Sequence, residues 1–164
     1  MPDTPFQVLF ICTGNSARSI MAEALLAHLG GGRFVAHSAG SHPTGQVHPL
    51  ALATLAELGV PLQGLRSKSW DEFARPQAPV LDFTFTVCDR AAGETCPLWP
   101  GQPMTAHWGV EDPAAPDEDA ARQRRRFLEV ALVLKRRIEL LLALPIASLA
   151  PLSLQHEIRA IGQH

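Results

Sequence analysis

Short apolar runs alternate with amphipathic stretches along the chain, and their periods set out its elements. Phe6 to Ile11 is apolar apart from Gln7, which predicts a buried strand. A polar loop follows, then a helical pattern from Ser19 to Leu29, stopped by Gly30-Gly31-Gly32. Arg33 to Ala39 reads as a second strand closed by Gly40. Pro49 to Leu58 reads as a helix, with proline in its first turn and Gly59 just past its end. A short helix is expected over Ser69 to Ala74, a third strand over Val80 to Val87 and a weaker fourth over Met104 to Val110. Pro116-Asp117-Glu118-Asp119 opens a long helix to about Ala143, with Phe127, Val130, Ala131, Leu134, Ile138 and Leu141 on one side.

Strands separated by helical segments point to an α/β fold, a single domain with a four-stranded parallel sheet and helices on both faces. No repeat or second-domain linker interrupts the pattern. The domain is expected over residues 1–144. Residues 145–164 are expected to form a C-terminal tail, partly helical from Leu154 to Ile161.

Composition narrows the function classes. With 46% hydrophobic and 18% charged residues, the 164-residue chain has an ordinary globular balance. A net charge of -2 gives no support for a nucleic-acid-binding surface, so any bound anion must be held by a local site. The start, Met1-Pro-Asp-Thr-Pro5, lacks signal-peptide features, and no apolar run approaches the roughly 18 residues of a membrane span. A cytoplasmic protein is expected, without membrane or nucleic-acid partners. Three cysteines, Cys12, Cys88 and Cys96, are too few for a disulfide scaffold.

The chemistry concentrates after the first strand, in Cys12-Thr13-Gly14-Asn15-Ser16-Ala17-Arg18-Ser19. Ligands in open α/β sheets bind beyond the carboxyl ends of the strands. Five residues between Cys12 and Arg18 can curl so that their N–H groups face inward, with a helix dipole behind them. Such a nest suits a tetrahedral anion, and Arg18 adds a bidentate clamp. These positive surroundings are expected to lower the Cys12 pKa and supply a thiolate nucleophile. Ser19 is placed to donate to that thiolate, and Gly14 to allow positive φ or close approach.

Cys88 also stands at the carboxyl end of a strand, and the eight-residue step to Cys96 can bend back. Neither makes a zinc pattern, and no metal cluster is evident among the seven histidines. Three thiols near one sheet edge suit serial thiol–disulfide exchange. Asp112, in His107-Trp-Gly-Val-Glu-Asp-Pro113, is a candidate acid for a leaving oxygen, with Glu111 competing. Trp108 reads as core, His107 as a hydrogen-bonded histidine, and Arg124-Arg125-Arg126 as a solvated helix face.

Taken together, the Cys12–Ser19 loop, Ser38-Ala-Gly40, Val87-Cys-Asp-Arg90 with Cys96-Pro97, and His107-Trp-Gly-x-x-Asp-Pro113 resemble the arsenate reductases built on the low-molecular-weight tyrosine phosphatase fold. The resemblance covers about residues 6–143 and is to the thioredoxin-coupled branch, which carries the second cysteine pair; the mycothiol-coupled branches lack it. It implies reduction of arsenate to arsenite. Cys12 attacks arsenate held by the loop, Thr13 to Ser19, and by Arg18, and Asp112 assists loss of water. Cys88 and then Cys96 resolve the adduct, and thioredoxin reduces the final disulfide. It implies no cofactor; phosphate or sulfate can occupy the same loop. Ala17 stands where some relatives have a further cysteine. Some relatives also bind potassium behind the loop, through residues matching Asn15, Glu23, Ser38 and an acidic residue near position 68. Here Lys68 stands in that stretch, and its ammonium is expected to fill the cation slot.

A low-molecular-weight protein tyrosine phosphatase using Cys12, Arg18 and Asp112 is the alternative, although this chain has no tyrosine and phosphatases usually line the site with aromatic residues. A non-enzymatic arsenical sensor would not need Asp112, and no DNA-binding element accompanies the thiols.

Overall fold

Strand β1 (Phe6–Ile11) lies at the middle of the molecule because both of its faces are apolar. Side chains alternate faces along a strand. Val8, Leu9, Phe10 and Ile11 are nonetheless all buried, so the sheet is covered on both sides. The computed structural model describes residues 4–88, 99, 102–115 and 119–164. β2 (Phe34–Ala39), β3 (Phe83–Thr86) and β4 (Met104–His107) complete one parallel sheet of order β2-β1-β3-β4. The described α-helices are α1 (Arg18–Leu29), α2 (Pro49–Glu57), α3 (Ala120–Leu142) and α4 (Pro151–Ile161). Among the described residues, no helix is long and apolar enough to cross a membrane.

The expected elements are present, with boundaries set by local chemistry. The third strand starts at Phe83 rather than Val80: Val80 is exposed, and Asp82 spends its carboxylate on the Gln7 N–H at 2.7 Å. The fourth ends at His107 rather than Val110, because the carbonyls of Trp108 and Gly109 turn away to Arg137. The expected short helix is a 3₁₀ turn, Trp70–Phe73, capped by the Ser69 side chain accepting from the Asp71 N–H. α3 begins at Ala120 with Asp119 as N-cap, its carboxylate accepting from the N–H groups of Ala121 and Arg122. The expected helix opening at Pro116 to Glu118 lies outside the described residues.

The C-terminal helix begins at Pro151, three residues before the expected Leu154, because proline fits the first helical position. It is built into the core through Leu154, Ile158 and Ile161, all buried. The Trp108 indole N–H donates to the Ile158 carbonyl at 2.9 Å. Trp108 is fully buried and stacks on Phe85 at 3.9 Å between centroids, as a core residue. Ile11 of β1 lies opposite Thr86 of β3, so residues 12 and 88 leave the sheet side by side.

Candidate active site

The loop after β1 is shaped from behind. The carbonyls of Thr13, Gly14 and Ser16 accept the N–H groups of His42, Thr44 and His48 at 2.9, 3.0 and 2.9 Å. In a trans peptide the carbonyl of one residue and the N–H of the next point opposite ways. Tying those carbonyls outward therefore turns the N–H groups of Gly14, Asn15 and Ala17 inward. That is the anion nest expected from the sequence, and Arg18 opens α1 at its end. The residues lining the cavity of about 620 Å³ in front of the loop include Cys12, Arg18, His42, Cys88 and Asp112. No phenylalanine or tryptophan is among its described lining residues.

Asn15 carries the left-handed backbone of the loop, at φ 44°. The sequence offered Gly14 for positive φ or for close backbone approach; asparagine tolerates the left-handed conformation, and its side chain is fixed from below. The Asn15 Nδ2 donates to Ser19 Oγ at 2.8 Å and Ser38 Oγ at 3.0 Å, and its Oδ1 accepts from the Lys68 N–H at 2.8 Å. Ser19 Oγ thus accepts from Asn15 behind the loop, which leaves its O–H as a donor. Gly40 lets the second strand pass close beneath: a Cβ there would lie 2.4 Å from the Thr13 carbonyl oxygen and 2.7 Å from that of Cys12.

The same layer holds Lys68. Its Nζ lies 3.7 Å from Glu23 Oε1 and donates to the Arg66 carbonyl at 3.0 Å, while Ser38 Oγ donates to Glu23 Oε1 at 2.5 Å. Asn15 Oδ1 and Glu23 Oε1 thus face an N–H, an O–H and an ammonium. Burial pushes the Glu23 carboxyl up and the Lys68 ammonium down, each opposed by the other's charge. Among the described residues no group of three or more metal-ligating side chains forms.

Cys12 and Cys88 are both buried thiols, and they line the same cavity. The Thr13 N–H donates to Cys88 Sγ at 3.4 Å, which fixes the second sulfur at the mouth of the loop. The Cys12 pKa is raised, contrary to expectation. The Cys88 thiol is the largest cause and burial the next; the Arg18 charge and the Gly14 N–H pull it down but do not win. Arg18 donates to the Val110 carbonyl at 3.1 Å, so the expected clamp rests on the segment that carries Asp112.

Asp112 lines the Cys12 cavity and accepts the Ala114 N–H at 2.9 Å, an Asx turn ahead of which Glu111 diverges to a neighbouring cavity beside Glu129 and Arg137. Geometry thus separates the two acid candidates. His107 is hydrogen-bonded to Thr86, at 2.8 Å, as expected. Arg124 is exposed and pairs with Glu57, but Arg126 is half-buried and donates to the Ala115 carbonyl at 2.8 Å, so the arginine run is not simply a solvated face. Cys96 lies outside the described residues.

Two site residues escaped the sequence reading. His42 lines the cavity from a loop with no flanking pattern to mark it. Arg137 is buried beneath the acid segment. It did carry a signal, since Leu134, Arg137 and Leu141 fall at helical spacing on the apolar stripe of α3.

Residues 7–151 match the family described as low molecular weight phosphotyrosine protein phosphatase. An arsenate reductase of Staphylococcus xylosus is 32% identical over 125 residues, covering 76% of this chain and 92% of that one. A solved arsenate reductase in the phosphate binding state superposes with a TM-score of 0.66 at 30% identity, covering 84% of this chain and 97% of that one. A thioredoxin-dependent arsenate reductase of Corynebacterium glutamicum superposes with a TM-score of 0.56 at 28% identity, covering 85% of this chain and 65% of that one.

Proposed function

This chain belongs to the low molecular weight phosphotyrosine protein phosphatase family, and we propose that within it the protein is a thioredoxin-dependent arsenate reductase. The observation that carries the reading is the Cys12–Cys88 thiol pair inside the oxyanion cavity. A phosphatase requires one thiol there, and water completes its reaction. A second thiol lining the same cavity as the first, with no phenylalanine or tryptophan among the described residues lining it, suits a small inorganic anion whose adduct is resolved by sulfur.

Arsenate sits in the nest of Gly14, Asn15 and Ala17 N–H groups, its charge met by Arg18. Cys12 gives its proton to an arsenate oxygen and attacks arsenic(V), forming a sulfur–arsenic bond. One arsenate oxygen leaves as water, taking a proton from Asp112. The Cys88 thiolate then attacks Cys12 Sγ. The new sulfur–sulfur bond forms as the sulfur–arsenic bond breaks, its electron pair stays on arsenic, and arsenite departs. Attack by Cys96 on Cys88 releases Cys12 and leaves a Cys88–Cys96 disulfide, which thioredoxin reduces. Lys68 supplies the positive charge behind the loop that potassium provides in some relatives. Phosphate and sulfate compete for the nest.

The test is turnover with arsenate, thioredoxin, thioredoxin reductase and NADPH. Wild type consumes NADPH; Cys88→Ser does not, yet retains any hydrolysis of aryl phosphates. No consumption by wild type with a competent thioredoxin system overturns the reading.

A further inference from the structure

Three consecutive carbonyls lead from β4 toward Asp112, and each is held by an arginine. The Trp108 oxygen accepts from Arg137 Nη1 at 2.7 Å, the Gly109 oxygen from the same nitrogen at 3.0 Å, and the Val110 oxygen from Arg18 at 3.1 Å. Arg137 Nε donates to the main-chain oxygen of His164 at 3.1 Å. Among the described residues, the acceptors of Arg137 are therefore main-chain oxygens. Arg137 is 6% exposed. A guanidinium so buried is costly unless its donors are met, and its planar fork holds several acceptors in one fixed geometry.

We propose that Arg137 is a positioning residue, which sets Asp112 over the Cys12 cavity by holding the 108–110 backbone to α3 and to the C-terminal segment. Asp112 itself is exposed and, among the described residues, takes its hydrogen bond from Ala114, within the same turn. Its placement therefore depends on the backbone that delivers it. That backbone is held by Arg137 at one end and by Arg126, through the Ala115 carbonyl, at the other. The C-terminal segment braces the same place: Gly162 packs so tightly that a Cβ on it would come within 2.3 Å of the His107 oxygen. Residues 152–164 lie beyond the stretch matched by the family.

The proposal rests on Asp112 acting as the acid in the function proposed above, and its test has one arm independent of that. The first arm is amide hydrogen exchange in Arg137→Met and Arg137→Lys with phosphate bound. Exchange is expected to rise at residues 108–114 while that of Gly14 to Ala17 is unchanged, with Arg137→Lys intermediate. The second arm follows hydrolysis of aryl phosphates with leaving groups of falling basicity. Both Arg137→Met and Asp112→Asn should lose about tenfold or more on phenyl phosphate and far less on dinitrophenyl phosphate, where no proton need be delivered. Adding Arg137→Met to Asp112→Asn should cost less than twofold further. Should Arg137→Met fail to fold, Arg137→Lys and Gly162→Ala carry the same comparison. Exchange that rises equally in both regions, or a loss independent of leaving group and additive with Asp112→Asn, overturns the positioning role. Selective exchange in the variants together with a wild type inactive on arsenate and aryl phosphates would instead overturn the functional reading.

Discussion

Cys12 and Cys88 follow neighbouring parallel strands and line one cavity, and the Cys88 thiol is the largest single reason the Cys12 pKa is raised. In this arrangement the second thiol restrains the first. The Arg18 charge and the Gly14 N–H favour the thiolate but are outweighed. Cys88→Ala removes the restraint and leaves burial as the one opposing influence. Alkylation by iodoacetamide requires the thiolate. The pH profile of Cys12 alkylation should therefore move toward lower pH in Cys88→Ala, with a several-fold faster reaction at neutral pH. A profile that stays put, or moves to higher pH, contradicts the coupling.

Arg18 should not tolerate lysine. An ammonium cannot make two parallel hydrogen bonds to an oxyanion, and it would lose the contact to the Val110 carbonyl. Arg18→Lys is expected to lower kcat/KM for arsenate by about 100- to 1,000-fold, the range for losing one well-placed oxyanion donor. Phosphate affinity by calorimetry should fall with it. Retained activity would remove Arg18 from the site.

Asp112 and Glu111 are adjacent in sequence but line different cavities. Asp112→Asn should reduce arsenate turnover by about 100- to 10,000-fold, the usual span for general acid catalysis, while Glu111→Gln stays within a few-fold of wild type. Turnover kinetics on the pair decide the assignment, and the reverse ranking would reject it.

Glu23 and Lys68 form a buried pair, with side chains 14% and 8% exposed. Removing one partner strands a charge, so Lys68→Met should cost about 3 kcal/mol in chemical denaturation at pH 7. The double variant Glu23→Leu/Lys68→Met should recover most of that loss. The pH dependence has two opposing parts. The raised Glu23 pKa contributes stability present in acid and lost as pH rises through it; the lowered Lys68 pKa contributes stability present in base and lost as pH falls through it. Exchanging sodium for potassium should leave wild-type activity unchanged, and a clear rise with potassium would contradict the role given to Lys68.

Much of this site was legible because its parts are local in sequence. A strand, a cysteine, a polar loop, an arginine and a helix follow one another within Phe6 to Leu29. The pairing of Cys12 with Cys88 was legible because a parallel sheet puts the ends of its strands at one edge. Contacts between distant segments were not. The hydrogen bond from Asn15 to Ser19 behind the loop is not legible in the sequence, and the Cys12 pKa reads as lowered until Cys88 is known to stand in the same cavity. Arg137 stood on the apolar stripe of α3, but only the folded chain brings the Trp108 and Gly109 carbonyls to it.

The central claim is that arsenate leaves its oxidising equivalents on Cys12 and Cys88. The most direct measurement is a single turnover of the reduced Cys96→Ser variant with arsenate and no thioredoxin, quenched in acid, alkylated and mapped by mass spectrometry. The account predicts one arsenite per protein and a Cys12–Cys88 disulfide. Cys12 and Cys88 both recovered as alkylated thiols, with no arsenite formed, would contradict it.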